Sequence, residues 1–224
     1  MIVFIDLEMK PIAVEYPAEK RMAQQEVIEF GAVMLDEALQ ECDSFCRTVK
    51  PVYGEIPPRY EQLTGITNAM TATAEEFPEV LRAFTAWCAP AETIYAWSGS
   101  DYRQLKRESK LKGTLDFLTP LEARWADYQR IFTNRLGLSR ELSLEQAVSI
   151  CDLTFDGHMH DALWDARNTA AVYRIAETPE TFRAKLAPLT ANINRNTAPT
   201  TSMASLLADK LRQMQNGPDG LSEP

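Results

Sequence analysis

Two carboxylates one residue apart, Asp6 and Glu8, follow the apolar run Met1-Ile2-Val3-Phe4-Ile5, while both histidines of the chain, His158 and His160, lie near its far end. Side chains at i and i+2 of a strand point to the same side, so Asp6 and Glu8 would face one point in space. Burying like charges together is strongly unfavourable without a positive partner, and a divalent cation is the partner this spacing asks for. The bland alternative is a solvated turn or a helix cap. Asp101, after Ser98-Gly99-Ser100, reads either as a helix N-cap or as a third carboxylate of the same group, and Asp165 follows His160 by five residues. Several carboxylate oxygens can hold two cations about 3.5–4 Å apart, which clamp the attacking and leaving oxygens of an in-line phosphoryl displacement. Hard oxygen donors suit Mg²⁺ or Mn²⁺ rather than zinc. A neutral imidazole, with an unperturbed pKa of about 6.5, can take the proton of an attacking water.

The elements that must carry these residues follow from the apolar periodicity. Met1 to Ile5 predicts a first strand, ending just before Asp6, and Val27 to Leu35 predicts its hairpin partner. The polar, proline-containing segment from Lys10 to Gln25 is too long for a tight turn and is free to fold over a site at the strand end. A third strand is expected over Cys42 to Val49, a short helix closed by Gly65 with Thr67 as the next cap, and a helix over Glu75 to Cys88. Thr93 to Trp97 reads as a buried strand, and Trp125 to Leu136 as a helix. A Ser-x-x-Gln box at Ser143 opens another helix, and the last one runs from about Asp161 to Ala176, with Asp161 as its cap.

With 224 residues, 45% hydrophobic and 25% charged, the chain suits one full α/β domain plus an appendage. The domain edge is set at 189, where composition shifts to Asn, Thr, Pro, Ser and Gly. Within 190–224, Met203, Leu206, Leu207, Leu211 and Met214 make an apolar stripe at helical spacing, which either docks on its own domain or supports self-association or a protein partner. No run reaches the roughly 18 apolar residues of a membrane span, and the start lacks signal-peptide features, so cytoplasm is the expected compartment. Cys42, Cys46, Cys88 and Cys151 have no zinc-ligand spacing and are expected as reduced, mostly core thiols. The net charge of −9 argues against broad capture of duplex nucleic acid. A local track is still open: Arg103, Lys106, Arg107 and Lys110 share one helix face, as a solvated surface or as a grip on upstream phosphates.

Three ordered motifs carry a family resemblance: Phe4-Ile5-Asp6-Leu7-Glu8, Ser98-Gly99-Ser100-Asp101 with Leu105, and His160-Asp161-Ala162-Leu163-Trp164-Asp165-Ala166. Over about residues 1 to 177 the chain resembles the DnaQ-like 3′–5′ exonucleases of the DEDDh type, in the ribonuclease H-like superfamily. Gln25 to Phe30, Leu63-Thr64-Gly65-Ile66-Thr67 and Ala166-Arg167-Asn168-Thr169-Ala170 make it most similar to the Eri-like branch, with the histone-mRNA 3′ exonuclease and bacterial sporulation-inhibitor homologues. The resemblance implies an α/β fold with a mixed sheet of about five strands flanked by helices. It implies that Asp6, Glu8, Asp101 and Asp165 bind a metal pair and that His160 is the general base. His158 is the competitor, although only His160 keeps the interval to Asp165 and the intervening Ala162.

Met9, Leu63 and Thr64 would meet the 3′-terminal nucleoside of a single-stranded RNA or DNA, with RNA favoured and a nucleoside 5′-monophosphate as product. Trp97 is a core tryptophan or a base-stacking platform. Two rivals stand beside this reading: a DNA proofreading or repair exonuclease accessory to a polymerase, and a non-catalytic binding module.

Overall fold

The computed structural model describes residues 1–188. Five strands form one mixed sheet in the order β3-β2-β1-β4-β5. They are β1 (Ile2–Pro11), β2 (Gln25–Leu35), β3 (Glu41–Thr48), β4 (Thr93–Ala96) and β5 (Trp125–Asp127). β1, β2 and β3 run antiparallel in sequence, whereas β1–β4 and β4–β5 are parallel. The helices are α1 (Pro17–Met22), α2 (Pro58–Thr64), α3 (Asn68–Thr71), α4 (Phe77–Trp87), α5 (Ser100–Leu111), α6 (Leu115–Leu118), α7 (Tyr128–Arg135), α8 (Leu144–Ile150), α9 (Ala162–Glu177) and α10 (Pro179–Thr181). The predicted stripe at Met203 to Met214 lies outside the described residues.

Alternation along β1 builds two cores. Val3, Ile5 and Leu7 pack with Phe77, Val80, Leu81 and Phe84 of α4 and with Leu105 of α5. Phe4 points the other way, against Ala166 and Ala170 of α9. Asp6 and Glu8 continue the parity of Phe4, toward the side that α9 covers. Small residues on α9 let it lie close to the sheet, and Gly31 takes this to its limit. It stands opposite Asp6 in the register, and a Cβ there would come within 2.1 Å of the Ala162 carbonyl carbon and the Leu163 nitrogen. The missing side chain is what brings the start of α9 down over Asp6 and Glu8.

Three expectations are corrected, and one of the two readings of Asp101 is removed. β1 does not end at Ile5 but continues to Pro11, because the pairing with β2 runs on to Pro11 and Gln25; Asp6 and Glu8 therefore sit inside a strand. Trp125 to Asp127 is not helical: it forms the edge strand β5 through parallel pairing with β4, and the helix starts only at Tyr128. Asp101 is not a cap but lies in the first turn of α5, where Gly99 occupies the cap position. Of the cysteines, Cys88 and Cys151 are buried, but Cys42 and Cys46 are exposed on the edge strand β3, and all four are free thiols.

Several other elements match their sequence signals, whereas α1 lies within the segment expected as a loop. Gly65 closes α2 at φ 73°, Thr67 caps α3, and Ser143 and Gln146 form a reciprocal capping box on α8. Among the described residues no helix is long and apolar enough to cross a membrane.

Candidate active site

Asp6 and Glu8 from β1, Asp101 from the first turn of α5, and His160 and Asp165 from the start of α9 line one pocket of about 310 Å³. Each reaches it for a local reason. Strand parity aims Asp6 and Glu8. Asp101 is fixed by the turn before α5, where the Gly99 N–H donates to Asp127 Oδ2 at 3.0 Å while the other oxygen of Asp127 caps α7 by accepting from the Arg130 N–H. Asp165 lies in the first turn of α9, whose cap Asp161 accepts from the Leu163 and Trp164 N–H groups, both at 3.1 Å.

The loop that carries the histidines is held from α9. Asn168, buried, accepts from the Asp156 N–H at 3.0 Å and donates to the Asp156 and Trp164 carbonyls at 2.9 and 2.8 Å. His160 adopts a left-handed backbone, φ 65°, and its N–H donates to Asp165 Oδ2 at 3.2 Å. His158 is turned away: its Nδ1 lies 2.6 Å from the Met159 carbonyl, and it lines a neighbouring hollow with Glu29, Thr64 and Asp161.

The electrostatics are one-sided. Burial pushes the Glu8 carboxyl up to about 9, reinforced by the negative charges of Asp165, Glu29 and Asp101. Burial also raises Asp6 well above its ordinary value, with Asp101, Asp165 and Glu8 adding to the effect. Asp101 is pushed to about 7 by burial, against the opposing pull of the Leu7 N–H, the Ser100 hydroxyl and Arg103. Asp165 rises to about 6 by burial, moderated by the His160 N–H. Among the described residues, no lysine or arginine lines the pocket.

These groups fit a hard divalent cation. Asp165 Oδ1 is buried and has no hydrogen-bond partner. Glu8, His160 and Asp165 each present a ligand atom, all within 4.8 Å of one another. Like charges held this close, with an acceptor left bare, suit a positive ion that meets several oxygens at once.

The other predicted residues are divided. Met9, Leu63 and Trp97 line the pocket. Trp97 is also a core residue, packed against Tyr128 and Phe132, with its indole N–H donating to the Leu142 carbonyl. Thr64 lies instead on the neighbouring hollow, its hydroxyl donating to the Tyr60 carbonyl. Arg103, Lys106, Arg107 and Lys110 are all exposed, but none lines the pocket, and Lys106 is paired with Glu122 at 2.6 Å.

Sequence reasoning assigned no role to Glu29, Gly31, Asp127, Gln25 or Tyr60. Glu29 stands directly opposite Glu8 across the β1–β2 ladder and is pushed to about 7 by burial and by Asp161. A lone glycine inside the apolar run of β2 was the available signal for Gly31. The others carry no local signal.

Comparison with known proteins adds an independent line. The model of the RNase_T family, described as Exonuclease, matches residues 3–173. The PolC-type DNA polymerase III of Thermotoga petrophila is 30% identical over 154 residues, covering 66% of this chain and 10% of that protein. The human 3′–5′ exoribonuclease 1 is 26% identical over 161 residues, covering 66% of this chain and 45% of that protein. The chain thus spans less than half the length of both relatives. Among solved structures, the nuclease domain of 3′hExo, a DEDDh family member, bound to rAMP, superimposes with a TM-score of 0.62 at 23% identity, covering 80% of this chain and 93% of that one. That likeness establishes a shared fold.

Proposed function

The chain belongs to the exonuclease family, and on that premise we propose that it is a metal-dependent 3′–5′ exonuclease that shortens single-stranded nucleic acid, RNA before DNA, to nucleoside 5′-monophosphates. One observation carries this reading: four carboxylates and an imidazole from three separate parts of the chain line a single pocket that, among the described residues, no lysine or arginine lines. Asp6, Glu8, Asp101 and Asp165 would hold two divalent ions, Mg²⁺ or Mn²⁺. Bound there, the ions supply Lewis-acid stabilisation of the attacking and leaving oxygens.

The protein's own groups do the rest. His160 accepts the proton of the attacking water, a role suited to an exposed imidazole at the pocket mouth. Leu63 and Met9 give the terminal nucleoside an apolar wall, and Trp97 offers it the edge of a ring whose other side is locked in the core. The likeness to a 3′–5′ exoribonuclease supports the preference for RNA. The match to a PolC-type polymerase favours, as a second reading, a proofreading exonuclease acting on DNA.

The test is an assay on 5′-labelled single-stranded RNA and DNA with Mg²⁺, Mn²⁺ or EDTA. Stepwise metal-dependent shortening from the 3′ end, faster on RNA, is expected. Equal or reversed rates remove the RNA preference, and no shortening of either strand removes the exonuclease reading. His160→Ala should lower the rate by about 10²- to 10⁴-fold with Mn²⁺ binding retained; a larger loss in His158→Ala would transfer the base role to that residue.

A further inference from the structure

Beside the carboxylate pocket lies a second hollow of about 550 Å³, lined by Pro11, Lys20, Gln24, Gln25 and Tyr60. Gln25 and Tyr60 also line the carboxylate pocket, so the two hollows share a wall and form consecutive lobes of one groove. Their chemistry differs. Among the described residues, the first lobe has four carboxylates and no lysine or arginine, and the second has a lysine and no carboxylate.

Lys20 is half-buried in α1, and it forms no ion pair among the described residues. Its nearby counterparts Lys10 and Lys112 are both held by buried carboxylates. On a chain of net charge −9 an anionic polymer is repelled at long range, so a free ammonium at the edge of the metal pocket is where a phosphate gains most. Tyr60 stands at the junction, with its ring backed by Ile28, Ile56 and Ile66, which makes it a supported aromatic face open to a nucleic-acid base.

We propose that the second lobe receives the nucleotide immediately upstream of the 3′-terminal one, with Lys20 meeting its phosphate and Tyr60 separating the two bases. This rests on the exonuclease reading above. It routes the strand past α1 rather than along the basic face of α5, where none of the four basic residues lines either lobe.

The experiment compares a substrate that has no upstream phosphate or base with substrates that extend upstream. The 4-nitrophenyl ester of thymidine 5′-monophosphate presents a single nucleotide, whereas a dinucleotide and a single-stranded 12-mer extend upstream. KM is measured for each with wild type, Lys20→Glu, Lys20→Gln, Lys20→Arg and Lys110→Glu over a range of salt. In Lys20→Glu the ratio of the 12-mer KM to the ester KM should rise about tenfold, and in Lys20→Gln the slope of log KM against log salt should fall by about 0.7, one single-strand phosphate contact. Lys20→Arg should restore the wild-type ratio, and Lys110→Glu should change it less than Lys20→Glu.

If wild type cleaves its substrates and the ratio is the same in Lys20→Glu and Lys20→Gln, or moves more in Lys110→Glu, the upstream lobe is overturned alone. Wild type that cleaves none of the substrates overturns the exonuclease reading and this one with it.

Discussion

β1, β2 and α5 each contribute to two clusters of charge, which lie side by side and are built on opposite principles. At one, Lys10 of β1 pairs with Glu26 of β2 at 2.9 Å, and Lys112, just past α5, pairs with Glu26 at 3.1 Å and with Glu108 of α5 at 2.9 Å. These side chains are almost wholly buried, yet two positive charges meet two negative ones and the remaining acceptors are filled. The Val52 and Tyr53 N–H groups donate to Glu26, and the Val27 N–H and the Gln104 amide donate to Glu108. Lys112 and the other donors draw Glu26 below its ordinary range despite its burial. Burial raises Glu108, but three donors converge on its two oxygens, an arrangement that suits the ionised form.

At the other cluster, two residues back along β1, seven back along α5 and three onward along β2, Asp6, Glu8, Asp101 and Glu29 form no ion pair with a lysine or arginine among the described residues. Burial drives Asp6, Glu8 and Glu29 upward, with neighbouring carboxylates adding to it, Asp161 in the case of Glu29. The same strands can therefore neutralise buried charge internally, and at the pocket they do not. The difference separates a structural staple, complete in itself, from a group of carboxylates that a bound cation would balance.

The comparison breaks most visibly at Asp6. Asp6→Asn should lower the exonuclease rate by about a thousandfold, ~4 kcal/mol of transition-state stabilisation. The same change should raise the melting temperature of the metal-free protein, because it removes a repelled charge. A fall in that temperature would mean that the pocket is internally balanced after all.

Lys112→Met probes the other cluster and should act with the opposite sign. It leaves Glu26 and Glu108 short of their shared ammonium, and chemical denaturation should register a loss of about 3–5 kcal/mol. A neutral result would show that the staple is dispensable.

A smaller effect, in pH, sharpens the contrast. Glu8 titrates at about 9 in the folded metal-free chain against 4.5 in its ordinary state, so between those values the folded form binds more protons than the unfolded one. Its contribution is present at low pH and is lost as pH rises from about 4.5 toward 9. Glu26, lowered on folding, behaves in reverse: its contribution is present above the unfolded value and is lost as pH falls through the folded one. Calorimetry without metal should therefore show the pocket lowering stability with rising pH, and millimolar Mg²⁺ or Mn²⁺ should flatten that slope by taking the place of the protons. An identical slope with and without the ion would count against cation binding at the carboxylates.

What was legible before the fold was known is the part written in short windows. Asp6 and Glu8 lie two residues apart on a strand, and His160, Asp161 and Asp165 lie within a helix start and its cap, so local geometry alone aims each group. The alternation of Val3, Ile5 and Leu7 with Phe4 likewise announced a strand buried on both faces. The continuation of β1 to Pro11 was not legible, since Asp6, Glu8 and Lys10 look like the end of an apolar run until β2 is seen pairing with them. The same holds for β5, three residues that become a strand only because β4 lies beside them.

The sequence by itself determined which residues are of a type to carry the chemistry and, through strand and helix periodicity, which way each one faces within its own element. Only the tertiary structure decided that Asp101 joins Asp6 across some ninety-five intervening positions, that Gly31 lets α9 descend on the pair, and that Lys10 and Lys112 serve the neighbouring glutamates rather than the pocket. The physical reason is the reach of the interactions. Side-chain direction is set by backbone dihedrals over a few residues, whereas the neutralisation of a buried charge depends on whichever distant segment the packed sheet brings within a few ångströms.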